Sequence, residues 1–430
     1  MTSDGEDAAA DFDTVDIFTD PTLVDDPFPY LEHLRQTGPV ARLPRRGVVA
    51  VTGYDTAAEV WRDAAAFSSC NAVTGPFPRV PLSSDGEDAS ASIEEHRHEW
   101  PMHEYLVTQD PPVHTLQRGL LMRLLTPKRM QENEAFMLEM ADRQLDAALA
   151  PARFEVLADF ARPYTLLVIA DLLGVPREDH DVFKMQLGAG QPGSSADEQR
   201  RAVAKDPLAF LFETFTGYVA DRRRAPRADV LTQLATATFP DGRVPDVADV
   251  VHTATFLFSA GQETTATLIA TALRTLGDDR ELQALLRAEP ARIPDFLEEV
   301  LRLDGPVKTV NRVTRRATRL GDMDIAAGTV VAVYPHAANR DPGRFESPDA
   351  FRMDRPNTKE HLAFGRGIHA CPGGPLARVE ARVALERLLD RTTDIRISDA
   401  HHGPPRRRTY RYEPTYILRG LQELHLECSQ

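Results

Sequence analysis

Between Val247 and Leu273 the chain reads VADVVHTATFLFSAGQETTATLIATAL, apolar nearly all round. A helix of this kind has no face to give to water, so the rest of the fold must wrap it. A stretch of about 30 residues spans about 45 Å as a helix. One patch breaks the apolar surface. Ala260-Gly261-Gln262-Glu263-Thr264-Thr265 places a carboxylate and two hydroxyls at the centre. Burying such groups is costly unless they are hydrogen-bonded or used. Threonines bonding back to the preceding turn would satisfy the pattern, and so would groups kept for chemistry.

Around this rod the pattern is mainly α with a minor β portion. LQRGLLMRLL, MLEMADRQLDAALA and LLVIADLLGV carry apolar residues at helical spacing. RGVVAVTGY and GTVVAVY read as strands, and TYILRG followed by ELHLE as a terminal hairpin. LGAGQPGSSADE is a loop of turn formers, and residues 71–106 form a long irregular segment, a kind more often functional than idle. No repeat or linker divides the chain. The expected organisation is a disordered acidic tail over 1–15 and one domain over 16–430.

The net charge of −15 argues against a nucleic-acid partner. Cys70, Cys371 and Cys428 show no pairable spacing, no signal peptide is evident, and no run is long and apolar enough to span a bilayer. A cytoplasmic protein is expected.

Cys371 lies in FGRGIHACPGG, residues 364–374. The neighbouring glycines allow positive φ and close approach to a flat, bulky group. LARVEARVALERLL follows as a helix, whose N-terminus favours thiolate over thiol. A zinc finger would need further ligands at short spacing, and a phosphate loop a lysine. Buried filler, a nucleophile and a haem ligand remain open.

Phe364, Gly365, Gly367, His369, Cys371 and Gly373 together resemble the haem-binding loop of the cytochrome P-450 superfamily, soluble bacterial type. Four further motifs, each resembling one of that family, stand in the family's order. Asp110-Pro111-Pro112-Val113-His114-Thr115 leads to Arg118; the long helix carries Ala260, Gly261, Glu263 and Thr264; Glu299-x-x-Arg302 follows; Asn339-Arg340-Asp341-Pro342 runs on to Arg355. The resemblance covers about residues 16–427.

It implies the family's single-domain fold, with haem b buried between the long central helix and the Cys-loop helix. It implies Cys371 as thiolate ligand to the iron, and His114, Arg118, Arg312 and His369 as propionate donors. Phe364, Gly365 and Gly373 would cradle the ring, and Ala260 and Gly261 would leave room for O₂. Thr264 would donate a hydrogen bond toward oxygen, and Glu263 would relay protons. Glu299, Arg302 and Arg355 would form a buried ion-pair cluster, since such charges are held only by one another. Phe256, Ser259, Val307, Lys308, Val310, Tyr416 and Ile417 would line a pocket for an apolar small molecule, Lys308 being the polar exception that either meets a substrate carboxylate or carbonyl or snorkels to solvent.

The implied reaction is hydroxylation or epoxidation by a monomeric monooxygenase. Electrons would come from a ferredoxin and its reductase, docked on a basic face of Arg118, Arg123, Arg366 and Arg378. Two alternatives are oxidative coupling or peroxide chemistry at the same haem, and a cysteine-nucleophile hydrolase. Pro372 departs from the family pattern and removes an N–H beside the sulfur.

Overall fold

The apolar stretch forms one helix, Val247–Gly277, and the molecule is assembled around it. Val250, Ala254, Phe258 and Ile269 have no solvent exposure. Burying each large side chain of this kind contributes about 1.5–3 kcal/mol. Helices Arg162–Leu173, Pro207–Arg224, Ile293–Asp304 and Gly374–Arg391 pack on it from different sides, as does Val113–Met122. Arg162–Leu173 is apolar on almost every face and ends at Gly174, whose left-handed φ of 77° closes the helix.

The computed structural model describes residues 12–77, 79–82, 87–151, 153–187, 207–239 and 241–429. Residues 1–11 of the expected tail lie outside these. The described chain begins with a 3-10 turn at Phe12–Thr14, four residues before the expected domain start, and the Phe12 ring meets Tyr30 edge-on with centroids 5.5 Å apart. Most of the expected 187–198 loop also lies outside the described residues. The irregular 71–106 segment holds a short helix, Ser90–Glu95. Asp110 anchors the chain beside it, accepting from Ser68 Oγ at 2.5 Å, Arg97 at 2.8 Å and Arg315 at 2.7 Å.

The β portion is a five-stranded sheet in the order Val40–Arg42, Val49–Val51, Val330–Val333, Val310–Thr314, Phe67–Ser68. Val49–Val51 and Val330–Val333 run parallel; the other pairs are antiparallel. Val310–Thr314 delivers Val310 and Arg312 to the central cavity.

The expected terminal hairpin does not form. ELHLE pairs instead through His425–Ser429, which lies antiparallel between Asp394–Ile397 and Arg153–Glu155. TYILRG contributes only an isolated bridge from Leu418 to Val307. Alternating apolar residues mark a strand, but a non-local partner outcompeted the neighbour in sequence. Among the described residues no helix is long and apolar enough to cross a membrane.

Candidate active site

The central helix and the Cys loop face each other across one cavity. Ala260, Gly261 and Thr264 line it from the helix; Phe364, Gly365, His369, Cys371 and Gly373 line it from the loop. Phe256, Val307, Val310 and Arg312 complete the brought-together set. The remaining lining is largely apolar and includes Leu257 and Leu268 from the central helix itself, with Trp61, Val107 and Leu362 from three other segments, none of which carries a mark in the sequence that it meets the others.

The loop owes its shape to its glycines. Gly365 and Gly367 sit at φ 66° and 71°, in the left-handed region that disfavours side chains. At Gly365 an added Cβ would meet nothing within 4 Å, so the backbone there stands open, as a flat ring pressed on it requires. At Gly367 the Cβ would lie 2.1 Å from the Trp61 carbonyl oxygen, backbone against backbone. Gly367→Ala is therefore expected to cost about 3–5 kcal/mol, as strain plus overlap. Gly365→Ala is expected to cost about 1 kcal/mol. Urea unfolding midpoints of the two variants check the contrast.

Cys371 is accessible, and what it faces is this cavity. Its N–H donates to the Phe364 carbonyl at 2.8 Å, which closes the loop. Burial pushes the thiol up; the N–H groups of Gly373 and Gly374 and the charges of Arg118 and Arg378 pull the other way. The expected helix-terminus bias toward thiolate is thus present but is outweighed by burial in the protein alone. The donor lost at Pro372 is made good one and two residues later.

Beside the sulfur lie two arginines and two histidines that make no ion pair among the described residues. The His114 and His369 rings are 4.2 Å apart. Among the described residues neither nitrogen of His114 has a hydrogen-bond partner, nor has Nε2 of His369, although all three atoms are buried. Burial and then Arg118 push His114 down to about 4; burial, Arg312 and His114 push His369 down to about 2. Burial lowers Arg312 to about 10. Arg118 donates to the Ala370 carbonyl at 2.7 Å and Arg312 to the Asn311 carbonyl at 2.7 Å, neither to a carboxylate. Unsatisfied buried donors around an apolar slot fit a flat ligand carrying carboxylates, as haem does.

On the opposite wall Thr264 Oγ1 donates to the Ala260 carbonyl at 2.8 Å, so its proton is turned into the helix and its lone pairs face out. Glu263 does not line the cavity. Its carboxylate pairs with Arg162 at 3.0 Å, a partner the sequence reading missed because it lies 101 residues away. Thr165 Oγ1 donates to the Gln262 carbonyl at 3.0 Å, tying the same two helices together.

Beneath the loop Glu299, Arg302 and Arg355 meet with side chains at most 2% exposed. Arg302 binds Glu299 through two nitrogens at 2.7 and 2.8 Å, and Arg355 joins at 3.0 Å. The arginines spend their remaining donors on the carbonyls of Asn339, Pro348, Ser347 and Ala350. Asn339 Oδ1 in turn accepts from Leu362 N at 2.7 Å, two residues before Phe364. The cluster thus holds the segment that leads into the Cys loop.

Four expected pocket residues lie elsewhere. Ser259 is on the central helix but does not line the cavity. Tyr416 turns away to donate to the Thr74 carbonyl at 2.9 Å, and Ile417 packs with Ile17 and Tyr416. Lys308 neither faces the cavity nor snorkels; it is buried. Its neighbours Val307 and Val310 do line the cavity, so the strip 307–310 presents only part of itself. Of the expected basic face, Arg123 is exposed, whereas Arg378 is paired with Glu298 at 3.0 Å and Arg366 with the Glu360 carbonyl at 2.7 Å.

Comparison with known proteins agrees with this geometry. The family model for Cytochrome P450 matches residues 197–393. The chain is 34% identical to Cytochrome P450 144 of Mycobacterium tuberculosis, over 94% of this chain and 89% of that one. It is 33% identical to Cytochrome P450 109 of Bacillus spizizenii, over 86% and 85%. Its fold superposes on that of the Mycobacterium marinum cytochrome P450 CYP150A6, substrate-free, with a TM-score of 0.92 at 54% identity, covering 97% of this chain and 99% of that one. Members of this family are monooxygenases that hold haem through a cysteine thiolate, so the hydrolase alternative falls away. The chain belongs to the cytochrome P450 family.

Proposed function

We propose that this enzyme inserts oxygen into an apolar small molecule, by hydroxylation or epoxidation, with Cys371 as the axial ligand of haem b. The observation that carries the reading is the facing of Cys371 and Thr264 across one mostly apolar cavity, flanked by His114, Arg118, Arg312 and His369, which make no ion pair among the described residues. When bound, haem supplies the oxygen activation, and the thiolate's electron density favours O–O cleavage. His114, Arg118, Arg312 and His369 would hold its carboxylates. Ala260 and Gly261 keep the distal wall low, and Phe256, Val307 and Val310 exclude water from an apolar substrate.

Thr264 is the group nearest to the task of holding a proton at the cavity. Its hydroxyl must rotate off the Ala260 carbonyl to donate outward. Glu263 serves as relay only when its pair with Arg162 opens, because the carboxylate otherwise points away. Thr264→Ala is expected to retain haem, to lower product formed per reducing equivalent by about tenfold or more, and to release peroxide instead. Thr264→Ser should restore most of the coupling. Wild-type coupling in Thr264→Ala would remove Thr264 from the mechanism.

Electrons are proposed to come from a ferredoxin reduced by its reductase. Arg123, Met122 and Ile368 are exposed, on the helix that carries Arg118 and in the Cys loop. Since Glu298 neutralises Arg378 and thins the expected basic face, ferredoxin-supported turnover is expected to fall only about two- to threefold as ionic strength rises from about 0.05 to 0.5 M. A salt titration under limiting ferredoxin measures it.

A further inference from the structure

Lys308 is 5% exposed. Its ammonium donates to the Thr415 carbonyl at 2.7 Å and makes no ion pair among the described residues. The charge that bears on it is a like one, Arg419, which is itself paired with Asp304 at 2.9 Å. Burial, with Arg419 adding to it, lowers the ammonium to about 8. A buried cation without a counter-ion is costly, and an incoming anion removes that cost.

Space for one adjoins it. Lys308 lines a second cavity of about 190 Å³, together with Ile17, Phe18, Leu23, Val24 and Tyr416. No residue lines both this cavity and the central one. At about 30 Å³ per water, the space holds about six waters or an organic acid of similar bulk. Asp20, also in the wall, has one oxygen engaged by Thr22 N at 2.8 Å and Thr22 Oγ1 at 2.6 Å.

We propose that this cavity is a separate binding site for a small monocarboxylate, paired with Lys308 and resting its apolar body on Phe18, Leu23 and Val24. The N–H groups of Lys308 and Thr309 both donate to the Ile417 carbonyl, at 2.7 and 3.2 Å, while Val307 and Val310 line the central cavity. An occupant therefore bears on the same strip that walls the central cavity.

Calorimetric titration of the holoenzyme with sodium butyrate tests the site, with butyramide as the neutral control. Butyrate is expected to bind saturably near pH 7 and butyramide not at all. Butyrate affinity should fall at least tenfold by about pH 9.5, where the lysine is neutral. Lys308→Met, which exchanges an unpaired buried charge for an apolar chain of similar length, should fold and lose the binding. No saturable butyrate heat, equal binding of butyramide, retained binding in Lys308→Met, or competition by imidazole from the central cavity would each overturn the proposal. The comparison of acid with amide uses wild-type protein alone, so it decides even if the variant misfolds.

Discussion

Cys371→Ser is expected to abolish the thiolate-type absorption of the reduced, carbon-monoxide-treated protein and to lower turnover to background. A serine hydroxyl stays protonated where a thiol ionises, and it offers iron a hard, weak donor in place of a soft anion. The other cysteines serve as internal controls. Cys70 is buried away from the cavity, and burial pushes its thiol up to about 12; Cys428, at the chain end, is likewise pushed up to about 12. Serine at either position should leave the spectrum unchanged. Survival of the thiolate-type band in Cys371→Ser would sink the assignment.

Glu299→Ala is expected to yield little folded, haem-loaded protein. Glu299 is the anion shared by two buried guanidiniums and also accepts from Arg352 N at 2.9 Å. Its removal leaves Arg302 and Arg355 uncompensated with no route to water. Breaking a buried pair of this kind costs about 3–5 kcal/mol, a third or more of the total stability of many domains. The damage should spread to the Cys loop through Asn339 and Leu362. Glu299→Gln keeps the shape and some hydrogen bonds, so it should fall between alanine and wild type. Urea midpoints and haem content per chain measure both effects, and a stable, fully loaded Glu299→Ala would overturn the argument.

The central helix was legible because its apolar residues fall on every face with only one central polar patch, which leaves no side for water. The Cys loop was legible because glycines at fixed offsets report backbone that must lie close to something; Gly367 against Trp61 is the instance. Lys308 was illegible for the opposite reason. A lysine one residue from Val307 carries no mark of the direction it takes, and the direction was set by where residues 17–24 and 414–416 happened to close a cavity.

Glu263 shows the same division within one motif. Its place on the helix follows from the sequence, but its pairing with Arg162 depends on how a second helix crosses the first. Likewise ELHLE was recognisable as a strand, yet its partners at 153–155 and 394–397 are hundreds or tens of residues away.

What the amino-acid order determined alone is local: helical and extended stretches, the glycine turns, and which charged groups share an element. Only the tertiary structure decided which distant segments complete a pocket, which carboxylate a buried arginine finds, and which face of a strand meets the cavity. The physical reason is that periodicity and turn chemistry act over a few residues. Ion pairing, burial and cavity shape, by contrast, depend on contacts between segments whose separation along the chain carries no signal of their meeting.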